Sequence, residues 1–186
     1  MLVIDGPDGI GKTTLAKKIQ RKVSDMGLPV VYSYMTRPNE DKFDFFNSYR
    51  EMINYCAVQD RFHLSGLAYH DNWKTNLHQR NIQIINSWIR SVGGLIIVLY
   101  ASDEEWYQKH ILASSDEHIV NVDVMCEANR RYTQYAQYND CDYSFDILPQ
   151  EQGQEWFGPR YVSEININEI INEWLIRRRN LGLGEI

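Results

Sequence analysis

Leu2-Val3-Ile4-Asp5-Gly6-Pro7-Asp8-Gly9-Ile10-Gly11-Lys12-Thr13-Thr14-Leu15 is the stretch from which the fold of this chain is read. Its apolar start runs into a glycine-rich turn, and Leu15, Ile19 and Val23 then follow at helical spacing, so the order is strand, loop, helix. From Gly6 to Thr13 the pattern is G-x-x-x-x-G-K-[ST]. Glycines at Gly6, Gly9 and Gly11 let successive backbone N–H groups turn inward around phosphate oxygens without Cβ collisions. Placed between a strand and a helix, the loop is expected to hold a nucleoside triphosphate. Lys12 would bridge the β- and γ-phosphates, the Thr13 hydroxyl would ligate magnesium, and the helix N-terminus would add partial positive charge. The implied cofactors are ATP and Mg2+, with Gly6, Asp8, Gly9, Ile10, Gly11, Lys12, Thr13 and Thr14 forming the binding segment.

Outward from this loop, Gly27-Leu28-Pro29 stops a helix over residues 13–26, and Val30-Val31-Tyr32 begins a second strand, as a parallel β-α-β unit does. Phe43, Phe46, Tyr49 or Arg50 and Ile53 predict a short amphipathic helix, followed by a third strand over residues 55–58 that ends in Gln59-Asp60-Arg61. Ile82, Ile85, Ile89 and Val92 form the stripe of a longer helix that stops at Gly93-Gly94. Residues 95–99 are a continuous apolar strand of the kind buried on both faces. Helices are expected over 103–112 and 121–138, and residues 139–143 and 149–159 read as polar loops. Tyr161-Val162 would supply a last strand. Ile167, Ile170, Ile171, Trp174 and Leu175 predict a closing helix capped at Asn166 or Asn168. The expected architecture is a single α/β domain over 1–186, a P-loop NTPase three-layer sandwich with a parallel sheet of about five strands.

Composition narrows the function. With 25 acidic against 19 basic residues, the net charge of −6 argues against a broad basic face for duplex nucleic acid. The one dense basic run, Arg177-Arg178-Arg179, suits a helix C-terminus. No apolar run approaches the roughly 18 residues of a membrane span, and the immediate start of the glycine-rich stretch leaves no place for an export signal, so a cytoplasmic protein is expected. Cys56, Cys126 and Cys141 lack paired metal or redox spacing and read as reduced thiols. His63, His70, His78, His110 and His118 show no metal-ligand spacing and read as surface or half-buried residues. Most of the twelve tyrosines and five tryptophans read as core and rim rather than as a stacking platform for bases.

Several charged residues fall where chemistry would need them. Asp8 places a carboxylate inside the loop, directed at whatever accepts the phosphoryl group; its alternative is an Asp that stabilises a turn. Asp60 closes a buried strand beside the glycine-loop strand, where a carboxylate can reach magnesium. Arg61 follows it and can neutralise phosphate charge. Arg37, in Thr36-Arg37-Pro38 just past the second strand, can clamp a second phosphate bidentately.

The glycine loop through Thr14, then Thr36-Arg37-Pro38, then Asp60-Arg61-Phe62-His63-Leu64-Ser65-Gly66-Leu67-Ala68-Tyr69 resemble, in that order, the three motifs of thymidylate kinases. The resemblance runs to about Tyr138 and is strongest up to Tyr69. It implies that Asp8 and Arg37 act near the acceptor phosphate, that Asp60 and Arg61 organise magnesium and phosphates, and that Ser65 and Tyr69 lie near the nucleoside. The short helical segment between Arg37 and Asp60 departs from the cellular enzymes and predicts a more open acceptor pocket. The lid-like segment, about 109–120, has no arginine, which leaves Lys109, Arg130 and Arg131 as substitutes. This compact form resembles the thymidylate kinase-like proteins of bacteriophages, some of which phosphorylate 5-hydroxymethyluracil in DNA; a phage protein would work in the host cytoplasm. The expected partners are ATP and a deoxynucleotide or modified DNA, with a homodimer left open and no membrane. Three readings follow: a deoxynucleoside monophosphate kinase, a DNA-modification kinase, and an ATP-binding switch without a small acceptor.

Overall fold

A computed structural model of the chain describes residues 1–35, 45–53, 56–69, 76–113, 121–138, 140–147 and 165–183. Five strands form one sheet in the order β2-β3-β1-β4-β5: β1 Leu2–Asp5, β2 Val31–Tyr34, β3 Ala57–Asp60, β4 Leu95–Tyr100 and β5 Tyr143–Asp146. Every pairing is parallel, with Ile4 opposite Asp60 on one side and Ile97 on the other. The helices are α1 Lys12–Asp25, α2 Phe45–Met52, α3 His63–Ala68, α4 Asn76–Ser91, α5 Glu104–Ala113, α6 Val122–Gln137 and α7 Ile167–Asn180.

The pleat divides the central strands between two cores. Leu2, Ile4, Leu95, Ile97 and Leu99 face Leu15, Ile19 and Val23 of α1 and Trp174 of α7. Val3, Ile96 and Val98 face the opposite layer, where Leu64, Ile82, Ile85, Ile89 and Tyr132 of α3, α4 and α6 cover them. The unbroken apolar runs Leu2–Ile4 of β1 and Leu95–Leu99 of β4 are thus explained: both faces of the sheet are buried, which makes the protein a three-layer α/β sandwich. Asn166 caps α7 by accepting from Glu169 N, and Arg177, Arg178 and Arg179 fill its last turn. Among the described residues no helix is long and apolar enough to cross a membrane, and the three cysteines are free.

Three expectations are corrected. A strand, β5, begins at Tyr143, the last residue of a stretch read as a loop; the expected strand at Tyr161-Val162 lies outside the described residues. Among the described residues β5 is an edge strand, paired with β4. Tyr143 and Phe145 turn toward the core while Ser144 stays exposed, and the polar approach to it is structural, because Asp142 accepts from Ile96 N at 2.9 Å. The third strand begins at Ala57, and Tyr55 is outside the described residues. His63 is fully buried rather than at the surface or half-buried: its Nε2 lies 2.7 Å from Asn86 Oδ1, and burial pushes its pKa down to about 4, so the ring is neutral.

Candidate functional site

The C-terminal ends of β1 and β3, side by side in the sheet, carry the residues singled out from the sequence. Gly6 leaves β1 with φ +155°, and a Cβ there would meet Leu99 O at 2.5 Å, so only glycine lets the loop turn this close to β4. Gly9 sits at the crest with φ +74°, and Gly11 forms the N-cap of α1. Ile10 is buried in the core and anchors the crest from below. Thr13 and Thr14 lie on the first turn of α1, whose leading N–H groups have no intrahelical partner.

Lys12 folds back along the loop, its Nζ donating to Pro7 O at 2.5 Å and standing 3.5 Å from Asp8 Oδ1. Only 4% of the residue is exposed, and burial lowers its pKa to about 8, against the pull of Asp8. The folded protein therefore releases this proton well before the unfolded chain does. Stability from this group rises as pH climbs from about 8 toward 10.5, because there the unfolded state binds more protons. An anion bound at Nζ restores the charge. Titrating MgATP at pH 8.5 in buffers of different ionisation enthalpy should show uptake of up to about one proton, shrinking below pH 7; uptake that ignores pH would contradict this assignment.

Asp60 ends β3 fully buried. Its Oδ2 accepts from the Thr13 hydroxyl at 2.6 Å and from the Tyr32 hydroxyl at 2.9 Å, while its Oδ1, also buried, has no hydrogen-bond partner among the described residues. Arg61 takes the left-handed conformation at φ 65°, which costs a non-glycine residue roughly 1–2 kcal/mol. Its N–H donates to Ile4 O at 3.0 Å, Gln59 Nε2 donates to its carbonyl at 2.9 Å, and its guanidinium reaches the Asp8 carboxylate in a close ion pair. The Tyr34 ring lies 5.5 Å from the same guanidinium. The strained turn thus places a cation beside the crest of the loop, with Asp8 held between Arg61 and Lys12.

Ser65 and Tyr69 both meet this framework. Ser65 Oγ donates to Asp5, and the Tyr69 hydroxyl accepts from Asp8 N at 3.1 Å. Arg37 and the lid positions 114–120 lie outside the described residues. The lid substitutes turn elsewhere. Lys109 is paired with Glu105 at 2.7 Å and largely exposed, Arg130 is paired with Glu127 and Glu104, and Arg131 donates to Ala68 O at 2.7 Å.

Three further side chains, none of them expected at the site from the sequence, belong to it. Asp5, the last residue of β1, is fully buried and accepts from Phe62 N at 3.2 Å, the Tyr132 hydroxyl at 3.2 Å and Ser65. Burial raises its pKa, against the donors that favour the anion. A carboxylate closing an apolar strand just before the loop was a legible signal. The other two, Tyr107 and His110 of α5, touch the loop crest: the Tyr107 hydroxyl donates to Asp8 O and His110 Nε2 donates to Gly9 O, each at 2.8 Å. No sequence motif marks them.

The sheet order, the loop after β1 and the buried acidic end of β3 together define a P-loop NTPase-like sandwich. Its fold is similar to that of the YorR protein of Bacillus subtilis, crystallised in complex with phosphorylated GDP. The two share a TM-score of 0.58 and 18% sequence identity, over 100% of this chain and 99% of that one. No protein-family model matches the chain, and no curated protein sequence does.

Proposed function

We propose that this protein is an ATP-dependent kinase that transfers the γ-phosphoryl group of MgATP to a thymidine-type deoxynucleoside monophosphate, acting as one domain. The observation that carries the reading is Arg61, held in a strained left-handed turn so that its guanidinium meets Asp8 at the crest of the loop. A bare ATP-binding switch would have no need of a cation fixed on the acceptor side of the phosphates. The nucleotide held by the similarly folded YorR protein is in keeping with a nucleotide ligand here.

In this reading the loop N–H groups and Lys12 hold the triphosphate. The Asp60–Thr13 pair fits magnesium, because a buried carboxylate oxygen without a donor among the described residues lies next to a hydroxyl, and Mg2+ takes one or two such protein groups and completes its shell with phosphate and water. When bound, the ion would neutralise charge on the β- and γ-phosphates. An acceptor oxygen forms its bond to the γ-phosphorus as the bond to the β,γ-bridging oxygen breaks, and ADP departs with that electron pair. Arg61, with Arg37 as a second clamp, would bring the two anions together, while Asp8 orients Arg61 and Lys12. Ser65 and Tyr69 line the nucleoside side.

One observation favours a monophosphate over the hydroxymethyl group of 5-hydroxymethyluracil in DNA. A phosphate oxygen is already anionic near neutral pH, whereas a hydroxymethyl oxygen must lose a proton to a base. Asp8, the loop carboxylate, is engaged by two cations. The net charge of −6 points the same way.

The test offers γ-labelled ATP with deoxynucleoside monophosphates and with duplex DNA containing 5-hydroxymethyluracil. Label on dTMP or dUMP is the expected result. Label on the DNA alone would overturn the acceptor assignment, and label on neither, with ATP still bound, would favour the switch.

A further inference from the structure

The crest of the phosphate loop is held from outside by three ring side chains, one just past α3 and two on α5. Tyr69, just past α3, takes the N–H of Asp8. From α5, Tyr107 donates to the carbonyl of Asp8 and His110 Nε2 to the carbonyl of Gly9. A carbonyl only accepts, so Nε2 carries a proton in this contact. Each of these side chains is itself fixed. Tyr107 is fully buried, and Trp106 stacks on the His110 ring with centroids 5.2 Å apart and planes 10° from parallel. The approach is close enough that a Cβ on Gly9 would stand 2.8 Å from Ile111 Cδ1 and 3.4 Å from His110 Nε2.

We propose that Tyr107 and His110 are positioning residues for phosphate binding: they pin the two crest carbonyls toward α5 so that the N–H groups of the same peptide units stay turned away from it and available to the triphosphate. The reason is covalent. In a trans peptide the C=O and the following N–H point in opposite directions, so fixing Asp8 O and Gly9 O fixes Gly9 N–H and Ile10 N–H. Without the two donors either peptide can rotate, and a rotated peptide would present a carbonyl oxygen to the phosphate. The proposal rests on the reading of the loop as a triphosphate site.

The experiment compares MgATP affinity, KM, kcat and melting temperature for the wild-type chain, Tyr107→Phe, His110→Leu and His110→Gln. Tyr107→Phe keeps the ring and loses only the donor. His110→Gln keeps an N–H that can reach Gly9 O, and His110→Leu removes it. Each lost donor is expected to weaken MgATP about fivefold to tenfold, the worth of one hydrogen bond that orders the site. At saturating MgATP kcat should stay within about twofold, because a preorganised loop acts on binding. His110→Gln should recover most of what His110→Leu loses. Unchanged affinity in both donor-deleting variants overturns the proposal. So does a Gln variant no better than Leu, or an affinity loss that only follows a fall in melting temperature. A wild-type chain that binds no MgATP would overturn the triphosphate reading itself, an outcome distinct from all of these.

Discussion

Lys12→Met is expected to leave a folded protein that has lost about two to three orders of magnitude in phosphoryl transfer, the usual cost of removing one charge-stabilising group from a preorganised site. The loss falls on transfer to whichever acceptor the labelled panel identifies. Stability should hold or rise, for a physical reason visible in the site. At neutral pH the ammonium is almost wholly buried, with one carboxylate at 3.5 Å and the Pro7 carbonyl as its partners. The lowering of its pKa to about 8 by burial is the mark of a charge the folded protein holds at a cost. Methionine fills similar space without that cost. The measurements are labelled transfer and thermal melting side by side. Activity within tenfold of wild type would remove Lys12 from the mechanism, and a collapsed melting temperature would show that the lysine serves folding instead.

The second large effect belongs to Asp5. Replacing it with leucine strands the N–H of Phe62 in the interior and leaves Ser65 and Tyr132, among the described residues, only each other, at 3.1 Å. The expected destabilisation is about 3 kcal/mol, a fall in Tm on the order of 10 °C for a chain of this size. The damage should also reach catalysis. Phe62 follows Arg61 directly, so the bond from Phe62 N to Asp5 is one of the ties that hold the strained turn, beside Arg61 N to Ile4 O. Asp5→Asn, which keeps one acceptor oxygen, should lose less. A leucine variant as stable as wild type would mean that the buried carboxylate is an ordinary core position.

How much of this was legible without coordinates depended on distance along the chain. The glycine loop could be read because its chemistry needs contiguous residues: the turn, the lysine and the hydroxyl lie within eight positions. The central strands were equally plain, since burial on both faces leaves uninterrupted apolar runs such as residues 95–99. Asp60 and Arg61 were placed by the rule that ligands gather at the carboxyl ends of parallel strands. The contacts of Tyr107 and His110 were not legible. They join residues 99 and 101 positions apart, and only the placement of β4 beside β1 carries α5 to the loop. β5 was obscured by its edge position, which tolerates a half-polar sequence in four residues. The full burial of His63 could not be read because its partner, Asn86, lies on α4, and no spacing rule links the two.

The central claim is that the loop from Gly6 to Thr13 holds the phosphates of MgATP. Calorimetric titration of the chain with MgATP tests it most directly, with the Lys12→Met chain titrated in parallel. The account predicts one saturable site per chain that requires magnesium and is weakened at least tenfold in the variant, as expected for a lost charged contact. Saturable binding of equal strength in both chains, or none in either, would contradict it.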